Sequence, residues 1–157
     1  MKKTDPLSYE ACLELLHFGF RNITEGPDRM LVERGLARAH HRILYFIGRA
    51  EEIPMSDLLH ILGISRQALH RPMKQLREQG LIAARPDPAD KRNLILSLTD
   101  EGRSFEHALT EPQRQMFAAA RGEAGDVALT GWRAIMEVLA RGTPWDDLKA
   151  EAARDDE

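Results

Sequence analysis

The 157-residue sequence predicts a mainly α fold with one small β-hairpin, and three observations carry that reading. Two short helical segments meet at the turn Gly63-Ile64, a three- or four-residue connection containing glycine, which is the helix-turn-helix pattern. Directly after them, Leu94, Leu96 and Leu98 alternate with Asn93, Ile95 and Ser97, the period of two that a strand requires. Long amphipathic helical segments stand on either side. A helix-turn-helix closed by a hairpin is a winged helix-turn-helix, here flanked by N- and C-terminal helices.

Along the chain, Asp5 before Pro6 offers a capping side chain and then proline at the first helical turn. Cys12, Leu15, Leu16, Gly19, Phe20 and Ile23 recur at helical spacing, predicting an amphipathic helix over residues 6–24. Gly26-Pro27 is expected to interrupt it, with a short helical piece following through Met30 and Leu31 and closed by Gly35. Ala39, Ile43, Leu44 and Ile47 mark a further helix ending near Gly48. Ser56 is a candidate cap for a short helix with Leu58, Leu59 and Leu62 on its inner face. Ser65 caps a second helix reaching about Gln79, with Leu69, Met73 and Leu76 as its buried stripe and Gly80 as its stop.

Leu81 to Arg85 reads as a strand, and Pro86-Asp87-Pro88-Ala89-Asp90 as a turn, since prolines cannot donate to a ladder. The hairpin is expected to supply the only strands. Thr99 caps the next helix, with Asp100 and Glu101 in the first turn, where the helix dipole favours anions. Phe105, Leu109, Met116 and Phe117 mark a long helix that Pro112 should kink or split, Thr110 with Gln113 being placed to cap a restart. Asp126 opens a last helix with the stripe Leu129, Trp132, Ile135, Met136 and Leu139. The chain thus reads as a single domain over residues 1–157. Its central lobe spans 50–99, flanking helices occupy 6–48 and 100–141, and an acidic tail covers 142–157.

Composition narrows the function. Apolar residues make up 43% and charged residues 30% of the chain, ordinary for a globular protein, and no apolar run approaches the ~18 residues of a membrane span. The first residues, Met1-Lys2-Lys3-Thr4-Asp5-Pro6, show no apolar export core, and the one cysteine fits a reducing compartment, so the cytoplasm is the expected location. The net charge of −3 is unevenly spread. From Met55 to Thr99 seven cations (Arg66, Arg71, Lys74, Arg77, Arg85, Lys91, Arg92) face four anions (Asp57, Glu78, Asp87, Asp90), giving +3 and leaving −6 for the remainder. A local excess of positive charge suits a polyanion. No Gly-rich phosphate loop, paired metal-ligand motif or nucleophile elbow is present, so neither an enzyme nor a bound cofactor or metal is expected.

The run Asp90-Lys91-Arg92-Asn93-Leu94-Ile95-Leu96-Ser97-Leu98-Thr99 resembles the wing signature of the MarR family of transcription regulators. Leu58 through Gln67 resembles that family's helix-turn-helix, and Thr99-Asp100-Glu101-Gly102 resembles the start of its dimerisation helix; the similarity spans about residues 6–141. The resemblance implies a homodimer whose first and last helices interlock, with one winged lobe per subunit on double-stranded DNA. It implies a regulator, read as a repressor, bound at a palindromic operator and released by a small-molecule effector. The terminal helices carry more apolar surface than a lone chain readily hides, although packing within one chain would also use it.

On a helical wheel Gln67, His70, Arg71 and Lys74 fall opposite the Leu69-Met73-Leu76 stripe. Arg pairs bidentately with guanine and Gln with adenine in the major groove, Ser65 and the helix N-terminus suit a phosphate, and Arg66 is a further DNA-binding candidate. By resemblance, Arg92 enters the minor groove with Asp90 steadying it, and Lys91 is a candidate phosphate contact. Pro72 inside this helix removes a bond to the Ala68 carbonyl and ordinarily costs ~3 kcal/mol.

Family members commonly hold small aromatic or anionic ligands between the dimer helices and the winged lobe, and His17, Arg21, His40, His41 and Tyr45 are the candidates here. His40 and His41 are adjacent and face different directions, which argues against a shared metal. Cys12 lies roughly where peroxide-sensing relatives keep a reactive thiol, but it shares the apolar stripe with Leu15 and Leu16, where a plain core cysteine is the alternative. A protein-interaction module on the same fold is the other rival, since fold does not fix function.

Overall fold

The computed structural model describes residues 5, 8–88 and 90–148. The elements follow the order α1 (Tyr9–Glu33), α2 (Arg38–Ala50), β1 (Glu52–Pro54), α3 (Met55–Leu62), α4 (Arg66–Glu78), β2 (Ile82–Pro86), β3 (Leu94–Leu98), α5 (Asp100–Ala124) and α6 (Asp126–Leu139). The fold is mainly α, as the sequence predicts. Pro6, Ala89 and the tail from Lys149 onward, on which parts of the sequence reading fall, lie outside the described residues.

The first helix differs from expectation at both ends. Ser8 rather than Asp5 caps it, accepting the Ala11 N–H at 3.2 Å. It then runs unbroken through Gly26-Pro27 to Glu33. Pro27 has no N–H for the carbonyl of Ile23 one turn earlier. The side chain of Gln113, from α5, supplies the missing donor at 3.3 Å. A proline that would end an isolated helix is therefore accommodated by a helix packed beside it. Gly35, at φ 66°, ends α1 in the left-handed conformation. The Leu36 N–H reaches back to the Leu31 carbonyl at 2.8 Å and Gly35 to Val32 at 3.0 Å, which satisfies the last carbonyls.

The hairpin is not the only sheet element. β1, a three-residue strand that the sequence reading passed over, pairs antiparallel with β3 (Ile53 opposite Leu96), giving the order β1-β3-β2. Pro86, expected in the turn, closes β2 opposite Leu94. Its position at the end of an edge strand is where a residue without a donor is tolerated. Ser56 lies inside α3 rather than capping it; Pro54 occupies the cap position without a side-chain bond.

Pro112 neither splits α5 nor starts a new helix. The expected capping pair is used otherwise: Thr110 donates to Glu106 at 2.6 Å, and Gln113 is turned toward Ile23. The core is built from Leu31, Leu36, Ile43, Leu44, Ile47, Ile53, Leu58, Leu69, Leu76, Leu81, Leu96 and Leu109 with their neighbours, and its apolar members all lie between positions 31 and 109. Outside that range many large apolar residues stand on the surface, while Pro27 is buried and Ile23 and Met30 are half-buried. Tyr9, Leu13, Leu16 and Phe20, at helical spacing along α1, are exposed, and α6 buries no residue at all. Within the chain α1 and α6 each pack on α5, yet these apolar faces stay exposed among the described residues.

Candidate nucleic-acid interface

The helix-turn-helix is set by local chemistry. α3 ends at Gly63, whose φ of 62° lets the chain turn, and the Ile64 N–H closes on the Leu59 carbonyl at 3.3 Å. Ser65 then caps α4, accepting the Ala68 N–H at 3.2 Å. Leu69, Met73 and Leu76 are buried as one stripe. The opposite side presents Arg66, Gln67, His70, Arg71 and Lys74 to solvent. Lys74 has Glu78 at 3.7 Å one turn on, a screened surface pair, whereas Arg66 and Arg71 form no ion pair among the described residues. Pro72 is half-buried inside α4, which continues past it.

At the hairpin tip one carboxylate organises the turn. Asp90 accepts the Arg92 backbone N–H at 3.0 Å and the Arg92 Nε–H at 3.2 Å through the same oxygen, and its carbonyl takes the Asn93 N–H at 2.8 Å. The Arg92 side chain is 94% exposed, so the guanidinium is oriented by a partner without being withdrawn from solvent. Lys91 beside it is exposed.

Two supports of this tip were not anticipated. Asn93 donates through Nδ2 to Ser56 Oγ at 3.1 Å, tying the wing to the first turn of α3, while its own carbonyl oxygen takes the Leu94 N–H at 3.0 Å. Arg85 on β2 reaches across the sheet to Glu52 on β1 at 2.7 Å. Neither partner is near in sequence, so only the pairing of the sheet reveals them.

The candidate effector residues do not form one site within the chain. Arg21 lines an open groove of about 820 Å³ on α1, with Phe18, Asp28, Arg29 and Arg38 among its walls, and neither His17 nor His40, His41 or Tyr45 shares it. Arg38 there is already engaged by Asp28, at 2.9 and 2.8 Å. His17 is exposed beside Phe18. Tyr45 lies edge-on to Phe46. His40 is buried, with Nε2 3.0 Å from Gln75 Oε1 on α4.

His41 turns the other way, with Nε2 3.2 Å from Thr110 Oγ1 on α5. Burial pulls its pKa below the ordinary histidine value, with the Glu106 and Asp28 charges opposing that shift. Cys12, expected on a buried stripe, is exposed because that stripe itself faces outward.

A MarR family model matches residues 34–93, the stretch from the α1–α2 corner to the wing tip. Over 127 residues the chain is 36% identical to the HTH-type transcriptional regulator PetP of Rhodobacter capsulatus, covering 81% of this chain and 76% of that protein. The chain belongs to the MarR family of transcription regulators. Solved structures agree on the fold. NadR in complex with 4-hydroxyphenylacetate superposes with a TM-score of 0.69 at 18% identity, over 90% of this chain and 99% of that one. A mutant MarR from E. coli complexed with operator DNA gives 0.62 at 19% identity, over 80% of this chain and 91% of that one. Among the described residues of this MarR protein no helix is long and apolar enough to cross a membrane.

Proposed function

We propose that this MarR-family regulator is a cytoplasmic homodimer that represses transcription by reading a palindromic operator. α4 would lie in the major groove and the wing beside it. The observation that carries the reading is the pair of presented cationic features: the α4 ridge, and Arg92 held at the hairpin tip by Asp90 while almost wholly solvent-exposed. A guanidinium pre-ordered by a carboxylate suits a narrow A·T-rich minor groove. Gln67, His70 and Arg71 are assigned to base edges. Ser65, Arg66, Lys74 and Lys91 are assigned to phosphates.

The dimer is supported by the apolar faces of α1 and α6, which stay exposed among the described residues. Contiguous exposed surface of this kind marks an interaction face. The basic ridge of α4 and Arg92 at the hairpin tip favour the regulator reading over a winged protein-interaction module, which has no need of paired basic features. A small aromatic or anionic effector is the first candidate for release, a reading to which the NadR complex with 4-hydroxyphenylacetate lends support by fold. Oxidation is the second, because Cys12 is exposed within the chain. A thermal-shift screen with aromatic acids and peroxide separates them, Cys12→Ser abolishing only a peroxide response.

The test of DNA reading is enrichment of duplexes from a random pool, followed by titration of variants. Arg71→Ala is expected to weaken the enriched duplex by ~1–3 kcal/mol and relax base choice. Lys74→Ala should weaken all sequences alike and flatten the salt slope. Wild-type affinity in both variants would refute the assignment of the ridge.

A further inference from the structure

Pro72 divides α4 into two halves that need separate fixing. The ring leaves the Ala68 carbonyl without its helical donor, so the ladder that would hold residues 73–78 in line with residues 66–71 is broken at its centre. The first half is fixed by the Ser65 cap and by Leu69 in the core. The second half carries, besides Met73 and Leu76, two glutamines at i and i+4, which share one face of the helix. Both reach the corner between α1 and α2. Gln79 donates through Nε2 to the Arg34 carbonyl, at the C-cap of α1, at 3.0 Å. Gln75 Oε1 lies 3.0 Å from His40 Nε2.

The hydrogen on His40 can be placed. The Ala37 N–H, unsatisfied at the start of α2, donates to His40 Nδ1 at 2.9 Å. Ala37 has no side-chain oxygen to return the bond, so His40 alone performs this half of a capping box. The Ala37 carbonyl also lies 3.2 Å from Nδ1, but the shorter bond is the one in which Nδ1 accepts, and this assigns the hydrogen to Nε2, facing Gln75 Oε1. One buried imidazole thus starts α2 and grips α4. Lys74 adjoins Gln75, and Arg71 lies one turn before it on the same side, so the grip governs how the phosphate-facing and base-facing groups of α4 are registered.

We propose that His40, with Gln75 and Gln79, is a positioning set for the reading helix, fixing the half of α4 beyond Pro72 to the corner where α1 ends. The inference rests on the DNA reading above for its effect on specificity, but its geometry is independent of it. Phosphate contacts set register and base contacts specify, so a loosened second half should cost discrimination more than general affinity.

His40→Asn separates the two duties. Its Oδ1 stands where Nδ1 stood and still accepts from Ala37, preserving the cap, while the side chain, one atom too short, no longer reaches Gln75. His40→Asn and Gln75→Ala are each expected to lower the ratio of affinities for the enriched and a scrambled duplex about threefold to tenfold, one hydrogen bond's worth. Combined, they should lose no more than either alone, and thermal stability of His40→Asn should stay near wild type. In the absence of DNA, amide exchange in both variants should quicken several-fold at residues 73–78 and not in α5. An unchanged affinity ratio, or exchange that rises uniformly or not at all, would overturn the proposal. A wild-type chain that enriches no duplex would sink the DNA reading instead, and the exchange result would still decide the positioning claim.

Discussion

Gly102→Ala should be severely destabilising, although alanine is the better helix former. Gly102 sits in the first turn of α5, where the chain leaves the wing. A Cβ built there would lie 1.9 Å from the Leu81 carbonyl oxygen and 2.9 Å from its carbon. Ordinary C···O contact is about 3.3 Å, so strand and helix must part by about 1.4 Å. Neither side yields readily. Leu81 is fully buried, and its carbonyl accepts the Thr99 N–H at 3.2 Å. The helix side is held by the Gly102 N–H on Thr99 Oγ1 at 3.0 Å and by Thr99 Oγ1 on the Gly80 carbonyl at 2.6 Å.

A backbone clash of this depth belongs at the upper end of overpacking costs, about 3 kcal/mol. Loosening the Leu81–Thr99 bond adds about 1 kcal/mol, and helix propensity returns about as much. The net expectation is a loss of about 3 kcal/mol, read from urea unfolding at fixed protomer concentration. Stability equal to or above wild type would show that the contact between Leu81 and α5 is not as close as described.

Other expectations follow from individual contacts. Gln113→Ala should cost about 1–2 kcal/mol by orphaning the Ile23 carbonyl, and far less in a Pro27→Ala background, where residue 27 regains its own N–H; a chemical-denaturation double-mutant cycle showing equal costs in both backgrounds would contradict the account of how α1 passes its proline.

His41 has a folded pKa below the ordinary value of 6.5 because it is buried. Between the two values the unfolded state binds more protons, so the stability this group provides is full above about pH 6.5 and is lost as pH falls through the folded pKa. The slope approaches but does not exceed about 1.4 kcal/mol per pH unit. His41→Gln should flatten that part of the profile, and an identical slope in the variant would assign it elsewhere. Ile135→Glu, on the exposed face of α6, should shift sedimentation from dimer to monomer without lowering helix content; a variant that stays dimeric would move the interface off α6.

The parts legible in the sequence are those whose causes are local. Ser65, Gly63 and the Leu69-Met73-Leu76 stripe specify α4 within a dozen residues. Asp90 and Arg92, two apart, are brought together by the turn they share. Thr99 caps α5 as its sequence suggests. The misses have distant causes. Gly26-Pro27 reads as a break because the donor that rescues it is ninety positions away. β1 is three residues long and contains a proline, so it exists by pairing with β3 rather than by its own pattern.

Ser56 and the Thr110/Gln113 pair have the chemistry of caps, but tertiary partners take those side chains first. Of the candidate effector residues, His40 and His41 point apart as their adjacency on a helix requires, yet only the packed structure assigns them to α4 and α5. The stripe on α1 was legible as apolar, and only the fold shows that it is exposed.

Hydroxyl-radical footprinting of the chain on its enriched duplex tests the central claim most directly. Two symmetric helices, each flanked by a wing, should protect two clusters centred about 10 base pairs apart, with Arg92→Ala removing protection only at the outer minor-groove positions. One protected cluster, or protection that ignores sequence, would contradict a dimer that reads DNA through α4 and the wing.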